Sequence, residues 1–227
     1  MYVRKVILSV VWNAGAFSLA LFPAAGTLDW WRAWLLLGVV VVSTVVTMFG
    51  VFRTRPQLLN ERMKGVIQKG QPTVDRVIVL TFLVAFAGSI VLIPLDVFHF
   101  HIFRAPAAWA SAVGLLLFIT GWSIIALSFR DNAFAVPVVR HQTERQHAVA
   151  DTGVYAVVRH PLYAGVMLLN IGMPLWLESY AAVLASIVPA GTLVVRILFE
   201  ERFLRRELPG YLAYSEMVRY RLVPYVW

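Results

Sequence analysis

Six uncharged runs, at residues 6–28, 33–52, 77–95, 105–129, 161–177 and 179–195, take up most of this chain of 227 residues. A helix that crosses a bilayer needs about 20 mostly apolar residues. The first four runs are that long. The last two have 17 residues each and are parted only by Glu178, which reads as a short helical hairpin. Composition agrees: 60% of residues are hydrophobic and 14% charged, where a soluble domain is about a quarter charged. That excludes disorder, a polar-faced solenoid and most soluble enzymes. No Cys is present, which excludes a disulfide scaffold and a thiolate metal site. In hydrocarbon each segment must satisfy its own backbone, so the runs are helices. The fold class is therefore all-α: a polytopic integral membrane protein of about six membrane segments, the last two a short hairpin, with a cytosolic C-terminal helix.

The formal net charge of +8 invites a nucleic-acid reading, but the 17 Arg and 3 Lys sit in blocks between the apolar runs, as topogenic charge does. With a cytoplasmic N-terminus and six crossings, 17 of the 20 basic residues fall inside. Arg32 and Arg104 fall outside, and Arg196 lies at a membrane edge. The expectation is both termini cytoplasmic, residence in a bacterial inner membrane, and no nucleic-acid partner. Arg4 and Lys5 before an apolar run resemble a signal peptide, but Ala24-Ala25-Gly26 is a poor cleavage site, so the run is read as a span. A single domain, 1–227, divides into a membrane scaffold (1–128) and a part that carries most of the chemistry (129–227).

Two stretches stand out. In Gly153-Val-Tyr155-Ala-Val-Val-Arg159-His160-Pro161-Leu-Tyr163-Ala-Gly165, Arg, His and Pro meet where the chain enters the membrane. Pro161 suits a first helical turn, where its missing N–H costs nothing. Gly165 permits close approach of a backbone or a ligand. The bland reading is an interfacial anchor of Arg and Tyr. In the second stretch, Arg196 and Glu200 are spaced i,i+4 on one helix face, as are Glu201 and Arg205. Arg196 ends a long uncharged run, and an ionisable group at such depth is a functional candidate; snorkelling is the alternative. His99 and His101 alternate rather than share a helix face, so they do not indicate a metal site. The basic loop 53–76 reads as topogenic.

Together the two stretches resemble the isoprenylcysteine carboxyl methyltransferase family, part of a wider group of integral-membrane methyltransferases that includes phospholipid N-methyltransferases. The resemblance covers about residues 129–227. It rests on Gly-x-Tyr-x-x-x-Arg-His-Pro-x-Tyr-x-Gly, then Arg196 with Glu200 and Glu201, then Tyr211, Tyr214, Arg219, Arg221 and Pro224. The family's His-x-Leu-Val-Thr stretch appears as His147-Ala-Val149-Ala150-Asp151, a match at His147 only.

The resemblance implies S-adenosyl-L-methionine as methyl donor, in a cytosol-facing pocket lined by His147, Val149, Ala150, Tyr155, His160, Pro161, Tyr163 and Glu200. It assigns Arg196, as the acceptor contact, and Glu201 to the catalytic set. The acceptor would be a lipophilic small molecule or a lipid, entering from the bilayer between the fourth span and the hairpin. Its nucleophile is open: a carboxylate needs orienting by Arg, an amine needs a proton acceptor, and a thiol must become thiolate. A phospholipid N-methyltransferase and a small-thiol S-methyltransferase are the alternatives within the class. Outside it stands a membrane transport or assembly subunit, which predicts carboxylates within the spans; there Asn13, Asn170, Ser and Thr are the polar residues.

Overall fold

The computed structural model describes residues 2–68, 70–138 and 148–227. Among the described residues every regular element is helical. Five helical stretches are long and apolar enough to cross a membrane, so the chain is an integral membrane protein. They are α1 (Tyr2–Ala25), α2 (Trp31–Thr47, ending in a π-turn at Met48–Phe52), α4 (Thr73–Leu95, ending in a π-turn at Asp96–Phe100), α5 (Ala108–Asp131) and the stretch Tyr180–Glu207. Short α3 (Pro56–Arg62) lies in the basic loop after α2. A single 3₁₀ turn, Gly153–Ala156, leads into α6 (Pro161–Trp176). The stretch 180–207 divides at Ser186 into α7 (Tyr180–Ala185) and α8 (Ile187–Glu207), and α9 is Tyr211–Met217.

The expected hairpin has unequal arms. The first is short: 16 residues rise about 24 Å at 1.5 Å each. The second does not stop at residue 195 but continues as helix to Glu207. The charge at Arg196 ends an uncharged run, not the helix. The C-terminal helical segment thus begins as a prolongation of the span, and only α9 is separate. The turn between the arms is locked by chemistry local to α6. Pro174 has no N–H to give the carbonyl of Asn170, four residues back. Ser186 Oγ donates to that carbonyl instead (2.8 Å), and Asn170 Nδ2 donates to the Ser186 carbonyl (2.9 Å) at the α7–α8 break.

Helices α5 and α6 pack backbone against backbone. Gly114 and Gly121 on α5 face Gly172 and Gly165 on α6, the same seven-residue step in both helices. A Cβ on Gly121 would sit 2.6 Å from the Gly165 carbonyl oxygen, and one on Gly172 would sit 2.6 Å from the Gly114 carbonyl oxygen. Small residues of this kind let apolar helices gain packing through backbone contact. Gly165 therefore admits a backbone, one of the two options its position allowed. This closed seam leaves no gap between the fourth span and the first arm of the hairpin, one side of the route expected for the acceptor.

At the end of the bundle remote from the basic loop, Arg32 lies between the rings of Trp31 and Trp176 (4.8 and 4.7 Å) and pairs with Glu178 (2.8 Å). Asp96 accepts from Ser179 Oγ (2.6 Å) and from the Ile102 amide (2.8 Å). His99 lies 3.0 Å from the Ala24 carbonyl. These contacts tie α2, α4 and the α6–α7 turn together. The opposite, basic end is where the motifs meet.

Candidate active site

The Arg-His-Pro motif begins α6 with Pro161 at its first position. Just upstream, Gly153 holds φ at 59°, and a Cβ there would lie 2.0 Å from Asp131 Oδ2, which accepts from the Val154 amide (3.0 Å). Both conformation and space require glycine here. The turn delivers Tyr155, buried, beneath Tyr214, whose hydroxyl donates to the Tyr155 carbonyl (2.8 Å).

Arg159 is 6% exposed and Glu201 3%. Arg159 Nε donates to Glu201 Oε1 (2.7 Å), Arg221 Nε donates to Glu201 Oε2 (3.0 Å), and His160 Nε2 lies 3.3 Å from Oε1. Arg159 Nη1 also donates to the carbonyls of Ser215, Val218 and Arg219. The Arg159 and His160 amides donate to the carbonyls of Tyr220 and Arg221 (2.9 Å each). Glu201 is thus the hub that ties α8, the start of α6 and residues 215–221 into one piece. The i,i+4 pairing of Glu201 with Arg205 yields to this network, and Arg205 is exposed.

Glu200, one residue earlier, faces another way and accepts from Tyr163 Oη (2.5 Å). His160 stacks on Tyr163 with ring centroids 5.6 Å apart. These groups open onto a cleft of about 780 Å³ counted to its mouth. Of the residues expected to hold the cofactor, Val149, Ala150, Tyr155, His160, Tyr163 and Glu200 line this cleft. Pro161 starts the helix without lining it, and His147 lies outside the described residues. Arg159, Tyr211 and Tyr214 also contribute. Burial raises the pKa of Tyr155, Tyr211 and Tyr214, so all three stay neutral hydroxyls that can donate. Tyr211 Oη is buried without a hydrogen-bond partner among the described residues, which suits a polar ligand in this cleft.

Arg196 does not line the cleft. It is 7% exposed, pairs with Asp75 (Nε–Oδ1 3.5 Å) and donates from Nη2 to the Pro137 carbonyl. Asp75 accepts from Gln71 Nε2 (2.7 Å). Arg196 helps to wall a second, larger chamber of about 1470 Å³ counted to its mouth. Its walls are mostly apolar side chains of α1, α2, α4, α5, α6 and α8, with α3 and the loop after it across the basic end. Val136, Leu162 and Tyr163 belong to both cavities. One Tyr side chain and its two neighbours are the partition.

Residues 109–209 match the phospholipid methyltransferase family. The segment holds α5, the Arg-His-Pro motif, Arg196 and the Glu200–Glu201 pair. Protein-S-isoprenylcysteine O-methyltransferase A of Arabidopsis thaliana is 31% identical over 114 residues, 48% of this chain and 57% of that protein. Protein-S-isoprenylcysteine O-methyltransferase B of the same organism is 27% identical over 101 residues, 43% of this chain and 51% of that protein. The chain spans about half the length of the curated relatives it matches.

Sequence reasoning missed Asp75, Asp131 and Arg62. Asp75 carried one signal, an acid in the first turn of an apolar helix. Asp131 and Arg62 carried none beyond their place among basic neighbours.

Proposed function

We propose that the protein is an S-adenosylmethionine-dependent methyltransferase that acts on a lipophilic acceptor at the cytosolic membrane interface. The observation that carries the reading is the pair of cavities meeting at Tyr163: a polar, tyrosine-lined cleft on one side and an apolar chamber on the other. A water-soluble donor and a membrane-soluble acceptor need such a junction. The residues of the cleft suit the donor. Among the described residues that line it, the carboxylate Glu200 offers a partner for an ammonium group. Tyr rings can face a sulfonium, and Tyr211 Oη offers an unspent donor.

S-adenosylmethionine supplies an electrophilic methyl group at its sulfonium, open to in-line displacement. The protein's task is position and exclusion of water. Glu200, held by Tyr163, and the His160 ring stacked on Tyr163 fix the inner wall of the cleft. Glu201, with both oxygens occupied by Arg159, His160 and Arg221, is a positioning residue that holds His160 in place. Arg196, set by Asp75 and the Pro137 carbonyl, orients the acceptor from the chamber side. The basic end of the bundle faces the cytosol, with both termini on that side.

The test is a methyl-transfer screen with labelled S-adenosylmethionine over phospholipids, prenylcysteine analogues and small thiols, alongside cofactor binding by calorimetry in detergent. Saturable cofactor binding and transfer to at least one lipophilic acceptor are expected. Absence of cofactor binding by folded protein would sink the reading and leave a non-enzymatic membrane role.

A further inference from the structure

Val223, Tyr225 and Val226 line neither cavity. They are 50%, 88% and 78% exposed, and Pro224 among them is exposed too. The four form a turn closed by the Val226 and Trp227 amides on the Val223 carbonyl (3.2 and 3.1 Å). Its base is tied, because the amides of Arg221, Leu222 and Val223 all donate to the Trp227 carbonyl (2.8, 3.0 and 3.2 Å). Tyr225 holds φ at 65°, in the left-handed region where turns take Gly or Asn. A bulky residue there is strained, and the strain presents an aromatic ring outward. Four adjacent apolar residues at an exposed turn mark a contact surface. The depth of the turn follows from the glycine seam. Its pairs, 114 with 172 and 121 with 165, run antiparallel and put position 161 beside position 125. At 1.5 Å per residue that is about 9 Å inside the end of α5 at Asp131. Leu162 accordingly packs on the cluster that holds Phe129. The Arg159 and His160 amides, just before Pro161, donate to the Tyr220 and Arg221 carbonyls, so residues 220 and 221 sit where hydrocarbon gives way to headgroups. From Arg221 the chain reaches Tyr225 within about 14 Å, and the closed base shortens that reach.

We propose that the turn Val223–Val226 is a wedge inserted into the membrane interface, with lipid as its partner, and that it holds the cleft against the bilayer surface. Tyr is a residue of that layer, and exposed Arg219, just before the base of the turn, suits anionic headgroups. The segment that carries the wedge also gives Arg221 to Glu201 (3.0 Å) and two carbonyls to the residues that start α6. Wedge and cleft wall are therefore one body. The inference does not rest on methyl transfer, since any ligand of the cleft would be held at this depth.

The experiment reads what surrounds the turn. With no Cys in the chain, a single introduced thiol can carry an environment-sensitive nitrobenzoxadiazole dye. Tyr225→Cys is the first site, and Val226→Cys is the second should the first disturb the turn. Each labelled protein is placed at one copy per nanodisc of phosphatidylcholine with phosphatidylglycerol. Phospholipids with a nitroxide at the headgroup or high on the acyl chain quench a dye in the interface, and iodide quenches a dye in water. The reference is Arg206→Cys, at an exposed position about 15 Å beyond Arg196 along α8. Dyes at 225 and 226 are expected to emit to the blue of the dye at 206, to lose most of their emission to the nitroxide lipids and to lose little to iodide, with the reverse at 206. Iodide quenching at 225 and 226 equal to that at 206, without loss to the nitroxide lipids, would overturn the wedge. Protection from both quenchers would overturn it as well, because protein rather than lipid would then cover the turn.

Discussion

Arg159 and Arg196 are both buried guanidiniums in one small region, yet their donors are spent differently. Arg159 satisfies Glu201 and three main-chain carbonyls, all within the protein. Removing its partner leaves an uncompensated buried charge, which costs about 3–5 kcal/mol. Glu201→Gln should therefore lower thermal stability in detergent and weaken cofactor binding only through disorder of His160. Glu200 is different: its Tyr163 contact is at the wall of a cleft, so Glu200→Ala should leave folding intact. It should weaken S-adenosylmethionine binding by about ten- to hundredfold, the worth of a lost charge-assisted hydrogen bond. His160→Ala should act in the same direction, by less. Calorimetry on both variants checks this, and unchanged affinity in each would remove them from the site. Arg196 belongs to the other cavity, so its variants should separate turnover from cofactor affinity. Arg196→Ala should keep cofactor affinity near wild type while kcat/KM collapses. Arg196→Lys should not rescue activity, since Lys lacks the planar fork. An active Lys variant would refute an acceptor role and move the nucleophile towards an amine.

At the scale of elements, the legible parts were those with local causes. The apolar runs specified the long helices because a membrane leaves the backbone no other partner. Pro161 marked the start of α6, and the Gly-x-Tyr motif marked a turn that only glycine can make. The route of α8 past Arg196 was not legible, because the apolar count stops at a charge while the helix needs only a buried partner for it. That partner, Asp75, is 121 residues away in sequence. Nor was the division into two cavities, since the partition residues Val136, Leu162 and Tyr163 come from separate segments. The glycine seam was half legible: the equal spacing of 114–121 and 165–172 is in the sequence, but their pairing is tertiary. Its energetics are open to measurement. Gly121→Ala places a methyl 2.6 Å from a carbonyl oxygen that belongs to backbone, and such overpacking costs about 1–3 kcal/mol. Gly38→Ala, with nothing within 4 Å of the new methyl, should be close to neutral. Thermal unfolding of both variants in the same detergent gives the contrast. Equal midpoints would mean that the α5–α6 seam can open at little cost, and would restore it as an acceptor route.

For the molecule as a whole, charge, cavities and family segment agree on one end. The basic loop, the start of α6, the last turns of α8 and residues 208–227 gather around the cleft, while the remote end is closed by the Arg32–Trp176–Glu178 and Asp96–Ser179 contacts. A polar donor can reach the cleft only from the side that the basic end faces. With basic residues biased to the cytoplasm, the proposed reading makes that side the cytosol. Five long helices and the short α6 then give an even number of passes if α6 crosses, and place both termini together. The Trp31–Arg32–Trp176 stack argues that it does, because Trp176 at the last turn of α6 reaches the same end as the start of α2. The protein has no Cys, so single cysteines can be introduced without background. Thiols at residues 3 and 217 should be blocked only by reagents with access to the cytosol. A thiol at exposed Phe103 should react with an impermeant reagent added from the opposite side. Labelling that puts residues 3 and 217 on different sides would mean an odd number of passes. It would turn the cleft away from the cytosolic pool of the donor, and the methyltransferase reading would have to be given up with the topology.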